Sequence, residues 1–302
     1  MKRGCLVALL TWAAFSAVYW HFIHDRLNPP ANVWVSIGAG FFMAIVIGVI
    51  RTAIGSAADA RRVRRALEPA GFMGEQPKDG ETIVVAGTIR PLGQALTAPF
   101  SHKRAVLYSY EVERPGPQTR NQSGTVKDYS GFALTPSVID SMRGQVKLLC
   151  FPQMESVEKE VAFGADAVAN ATEYIRTTQW TAMDGFNPTQ IYREVKEMLT
   201  DDDGQIRKDW RISDRPDLEG ATLMEQVVAP GTQVFAFGKW SAEKRGLVPD
   251  SGVPARLVVG DARAVLKTLR GKVVGNIIGA LLLGGVMNAI LYVVVVYGRF
   301  GR

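Results

Sequence analysis

The chain has 302 residues, 47% hydrophobic and 21% charged, with a formal net charge of +6. That apolar share excludes an intrinsically disordered chain. Two cysteines, Cys5 and Cys150, exclude a disulfide framework and any multi-cysteine zinc module. With only His21, His24 and His102 besides, no metal or other cofactor is expected.

In chain order, the first feature is an uncharged apolar run at residues 5–23. Residues 33–50, extendable through Arg51 to 54, and residues 273–297 form two more. Each reaches the roughly 20 apolar residues that a membrane-spanning helix needs. The first run is too long, and too bulky at Trp12, Tyr19 and Trp20, for a secretory signal, and no small-x-small cleavage site follows it. A short linker then makes the first two spans a helical hairpin.

Basic residues orient the spans by the positive-inside rule. Lys2 and Arg3 precede the first span. Arg51, Arg61, Arg62, Arg64 and Arg65 follow the second, and Arg263, Lys267, Arg270 and Lys272 precede the third. The N-terminus and the long central segment are therefore expected inside and the C-terminus outside. Residues 71–260 hold 21 Lys+Arg against 25 Asp+Glu, a balance of −4. The excess base thus rims the bilayer, where each cation gains about 1 kcal/mol from anionic lipid. A nucleic-acid partner is not expected. The lipid bilayer is, with Arg61, Arg62, Arg64 and Arg65 as a lipid-facing basic cluster.

Within the spans, Gly40 and Gly48 fall in a four-residue repeat with Ser36, Ala44 and Thr52, and Gly275 and Gly279 repeat with Gly271. Small residues at this spacing let helix backbones approach closely. They predict helix packing, either among the three spans or between copies in a homo-oligomer. No Asp, Glu, Lys or Arg lies inside a span, which argues against an ion or proton pathway.

The central segment opens with a basic juxtamembrane helix over 55–70 and then reads as strands at 81–92, 103–113, 131–135, 144–151, 225–239 and 255–259. Val106, Tyr108, Tyr110 and Val112 alternate onto one face. Helices are expected at 165–178 and at 187–200, where Asn187, Pro188 and Gln190 make a start signal. Residues 205–212 suit a strand with Trp210 and Ile212 inward. The fold class is an α+β membrane protein: three transmembrane helices and a small β-barrel-like soluble domain with two inserted helices. Its segments are 1–54, 55–70, 71–269 and 272–297.

Several short stretches then carry a family likeness. They are Val85-Ala86-Gly87-Thr88-Ile89, Leu96-Thr97-Ala98-Pro99-Phe100-Ser101, 106–112, Phe132-Ala133-Leu134, Gly144-Gln145-Val146, and 225–238 with its Pro-Gly-x-x-Val-x-x-x-Gly. In this order they resemble the GIDE, or beside-a-membrane, domain of membrane-anchored RING-type E3 ubiquitin ligases of the MULAN type. The likeness covers about residues 71–269 and is weakest over 153–219. It implies a domain held between spans and, in the RING-less form, a prokaryotic-type member in a bacterial inner membrane with the domain cytoplasmic. It implies an interaction or scaffolding role with a protein partner. The alternative it carries is ubiquitin transfer. The family's ligase activity resides in a RING with eight Cys/His zinc ligands, which this chain cannot supply.

No catalytic residue is assigned. Ser101 and His102 are sequence neighbours, poorly placed for a dyad, and read as a polar turn. Cys150 sits in an apolar strand and reads as a buried thiol. Asp201, Asp202 and Asp203 precede Gly204, but with Leu199 and Trp210 at the outer loop positions they fail the EF-hand pattern.

Overall fold

A computed structural model describes residues 3–67, 77–116, 124–142, 144–183, 204–213, 218–249 and 255–297. Two compact units result: residues 1–61 with 266–302, and residues 62–265.

The first unit is helical. Helix α1 (Arg3–Ile23), helix α2 (Ala31–Leu67) and helix α4 (Ala262–Tyr297) are each long and apolar enough to cross a membrane. This is a membrane protein. The juxtamembrane helix continues the second span directly, as the last part of α2, a single 37-residue helix. Likewise α4 begins ten residues before its expected span, with Arg263, Lys267, Arg270 and Lys272 on its first turns. Ile23, Leu27, Ala39 and Leu291 pack into a small apolar core. The Asn276 carboxamide donates to Thr52 Oγ1 at 3.1 Å, a hydrogen bond between α4 and α2.

The second unit holds two sheets. In the first, β1 (Thr82–Pro91), β6 (Ser137–Ser141), β7 (Gly144–Leu148), β14 (Gly246–Val248) and β13 (Gln233–Ser241) are hydrogen-bonded in that order. A further pairing of β1 with β13 closes them into a five-stranded barrel. Strands β15 (Arg256–Val259) and β8 (Gln153–Glu155) extend that sheet from β13. Where the five strands pair, closure covers edges that a small open sheet would expose. The second sheet orders β10 (Thr181–Ala182), β11 (Ile206–Arg211), β5 (Thr125–Leu134), β4 (Leu107–Pro115), β12 (Thr222–Val228) and β9 (Glu160–Ala162). A two-stranded ribbon, β2 (Leu96–Thr97) with β3 (Arg104–Ala105), flanks it.

Side-chain alternation gives the second sheet two buried faces. Leu107, Phe132, Leu134, Ile206, Trp210 and Val228 join the barrel residues Val85, Ile89, Ile139, Val234 and Leu247 in one core. On the opposite face Tyr108, Tyr110, Val112, Tyr129 and Leu223 pack with Ala167 and Ala171 of helix α3 (Ala165–Thr177). Val106, expected to share the tyrosine face, lies in the step before β4 and joins the barrel core instead. Trp210 is buried and Ile212 partly so. The helix expected at 187–200 and Asp201–Asp203 lie outside the described residues.

Candidate functional site

The basic cluster occupies the last two turns of α2. Arg61, Arg64 and Arg65 are exposed and Arg62 is half-buried, while Val63 and Ala66 between them are buried. Helical spacing of three and four therefore gathers Arg61, Arg64 and Arg65 on one face and leaves Arg62 to the side.

The four glycines singled out for helix packing divide. A Cβ on Gly40 would lie 2.2 Å from Ser16 Oγ and 2.5 Å from its backbone nitrogen, so α1 and α2 touch where glycine alone fits. Beside it the Trp12 indole donates to the Ile37 carbonyl at 3.0 Å. At Gly48, Gly275 and Gly279 an added Cβ would meet nothing within 4 Å among the described residues. The spacing alone could not say which glycines face a neighbour. Gly40→Val is expected to destabilise the detergent-solubilised chain by about 2 kcal/mol, the cost of overpacking. Gly48→Val should leave the thermal midpoint unchanged, and differential scanning fluorimetry compares them.

In the second unit, two stretches distant in sequence meet at Glu225. This side chain is 2% exposed. Its carboxylate accepts the Phe100 N–H at 2.6 Å and the Ser101 N–H at 3.0 Å. Asn170 of α3 donates to the Phe100 carbonyl at 3.0 Å. The turn closes with the His102 N–H donating to the Ala98 carbonyl, at a His102 φ of +53°. His102 itself is exposed. Sequence reasoning does not single out Glu225, although a carboxylate between Leu223 and Val227 in an apolar strand is the kind of misfit that marks a buried anchor.

A second polar group sits beneath α3. Asp209 accepts from the Tyr110 hydroxyl, from the Tyr174 hydroxyl at 2.9 Å and from Arg207 Nε at 2.7 Å. Arg207 also donates to the Tyr174 oxygen and lies over its ring at 5.1 Å. Burial, reinforced by the charge of Asp209, pushes both phenols upward, so they stay protonated as donors. The arrangement pins α3 to the sheet. Cys150 is buried, and burial raises its thiol to about 12, which keeps it unreactive. Among the described residues no group of three or more His, Cys, Asp or Glu could hold a metal.

The third feature is a cavity of about 510 Å³ at one mouth of the barrel. It is lined by Ile83–Ala86 of β1, Ser141, Gln145 and Val146 of the β6–β7 hairpin, Trp240, Ala242 and Arg245 around the β13–β14 turn, and Ala66 and Pro77. The opening has a simple origin. Strand β6 pairs with β1 only over Gly87–Pro91, the Gly87–Ser141 pair being the last, and an Arg90–Asp140 ion pair holds this stretch. Strand β1 runs five residues further, to Thr82, paired with β13 alone.

Compared with models of protein families, with characterised proteins and with solved structures, this chain gives no match.

Proposed function

We propose that the chain is a membrane-anchored interaction module of the GIDE, or beside-a-membrane, type. Its soluble unit lies at the cytoplasmic face of a bacterial inner membrane and scaffolds a protein partner there. The observation that carries the reading is the barrel-mouth cavity, of a size suited to ligand binding. Its wall includes Ala66, on the same continuous helix whose earlier turns form the second span. The exposed Arg61, Arg64 and Arg65 support the orientation, because cations flanking a span are retained on the inner side and attracted to anionic lipid.

Orientation and partner are tested together in membranes. A reporter fused after Gly220 reads cytoplasmic and one fused after Arg302 reads external; the reverse pattern refutes the placement. Photo-crosslinkers placed over the surface of the soluble unit, in the full-length chain, capture a discrete protein adduct. A surface that yields only lipid adducts refutes the scaffold role.

A further inference from the structure

The barrel-mouth cavity contains an open strand edge, and that edge defines what fits it. In an antiparallel ladder, alternate residues direct their N–H and C=O groups to opposite neighbours. The Ile89 N–H donates to the Thr232 carbonyl and the Trp240 N–H to the Glu81 carbonyl, so the odd-numbered residues of β1 face β13. The even-numbered residues face the other way. Further along the strand they are met by β6, as Thr88 opposite Asp140 and Arg90 opposite Val138. Beyond Ser141 that partner stops, and among the described residues no strand pairs with this side of Val84 or Ala86. Their backbone groups, about 6.8 Å apart along the strand, face the cavity that both residues line.

The cavity walls add two constraints. Ile83 and Val85 project toward the barrel core, and Val146 and Trp240 stand beside them, so part of the wall is apolar. Among the described residues that line the cavity, Arg245 is the only charged one. It is exposed. A repeating donor and acceptor row is complemented by another extended backbone and not by an acyl chain or a compact metabolite. A cation in the same lining favours an acid.

We propose that the β1 edge at Val84 and Ala86 is a β-augmentation site. It takes an extended segment of a partner protein, with apolar side chains at alternate positions and one acidic group that pairs with Arg245. This rests on the interaction-module reading and names the class of its partner.

The test uses the full-length chain in nanodiscs and fluorescein-labelled hexapeptides of alternating Val and Thr, with one Glu scanned through the positions. Anisotropy should find one register that binds, weakened about tenfold by Glu→Gln in the peptide. N-methylation of the alternate amides that face β1 should abolish binding. Arg245→Glu should lose the Glu peptide and gain the matching Lys peptide, which shows that the variant is folded. Binding indifferent to N-methylation, or equal competition by dodecanoate, would make the cavity an amphiphile pocket and overturn the proposal. So would failure of every register. The broader reading is judged separately, by benzoylphenylalanine placed in cells at Gln145 or at the remote, exposed Phe163. Protein adducts only at Phe163 sink the strand-edge site and keep the scaffold; adducts at neither position sink both.

Discussion

Replacing Asp128 by alanine is expected to destabilise the soluble unit by about 3–5 kcal/mol, the cost of stripping one partner from a buried ion pair. Asp128 is 1% exposed and Arg114, whose Nε it binds, is 8% exposed. The pair exists because β5 carries an irregularity. Val112 pairs with Tyr129 and Glu113 with Lys127, so Asp128 is an extra residue without an opposite number on β4. Such a bulge re-aims a side chain, and here the carboxylate reaches the guanidinium two residues further along β4. Arg114 also donates to the Glu219 carbonyl at 3.0 Å, and the Asp128 carbonyl accepts the Ile212 N–H at 2.9 Å. One residue therefore ties β4, β5 and the end of β11 together. Chemical unfolding of the full chain in detergent, followed by near-ultraviolet circular dichroism, measures the loss. The paired replacement Arg114→Met with Asp128→Leu should recover most of it, because no uncompensated charge is left behind. If Asp128→Ala costs under about 1 kcal/mol, the level of an exposed pair, the pair is not structural.

Glu225→Ala comes next, at about 3 kcal/mol, since it leaves two backbone N–H groups without acceptors in a site closed to water. Phe100 is 1% exposed and meets the Tyr110 ring edge-to-face at 5.3 Å, so the turn cannot swing out without emptying a core position. Glu225→Gln keeps an acceptor oxygen and should lose about half as much. Amide hydrogen exchange at Phe100 and Ser101 should accelerate at least tenfold in Glu225→Ala and less in the glutamine variant. Unchanged exchange would mean that the Asn170 contact alone holds the turn.

How much of the fold is legible in the sequence depends on the range of the signal. The spans can be read because a long uncharged run is a local feature that soluble folds seldom contain. Helix α3 and the strands around Val84, Tyr110 and Phe235 can be read from alternation or composition. Strands β6, β8, β9, β10 and β14 span only two to five residues. That is too short for a period of two to declare itself. Barrel closure is suggested only as a class, because nothing near Thr82 announces that its neighbour is Lys239. The second sheet escapes sequence reasoning for the same reason, since both its faces are buried and it shares residues with the barrel core. At the sites, helical spacing puts Arg61, Arg64 and Arg65 on one face of α2 and Arg62 to its side. It cannot separate Gly40 from Gly48, because that depends on where a second helix lies. Glu225 and the open edge of β1 are properties of pairing, and pairing is what a single strand's sequence does not contain.

The ring of five strands also sets a schedule for biosynthesis. Thr88 and the residue it faces on β13, Gln233, are 145 positions apart. At synthesis rates of roughly 5–20 residues per second, β1 leaves the ribosome on the order of ten seconds before β13 exists. Both hairpin spans and β6 have been made by then, so β1 waits as a nascent strand with its β13 edge uncovered. Over that interval the uncovered edge is open to mispairing. Synonymous changes that slow translation between codons 92 and 232 should lower the yield of folded protein without altering one residue of it.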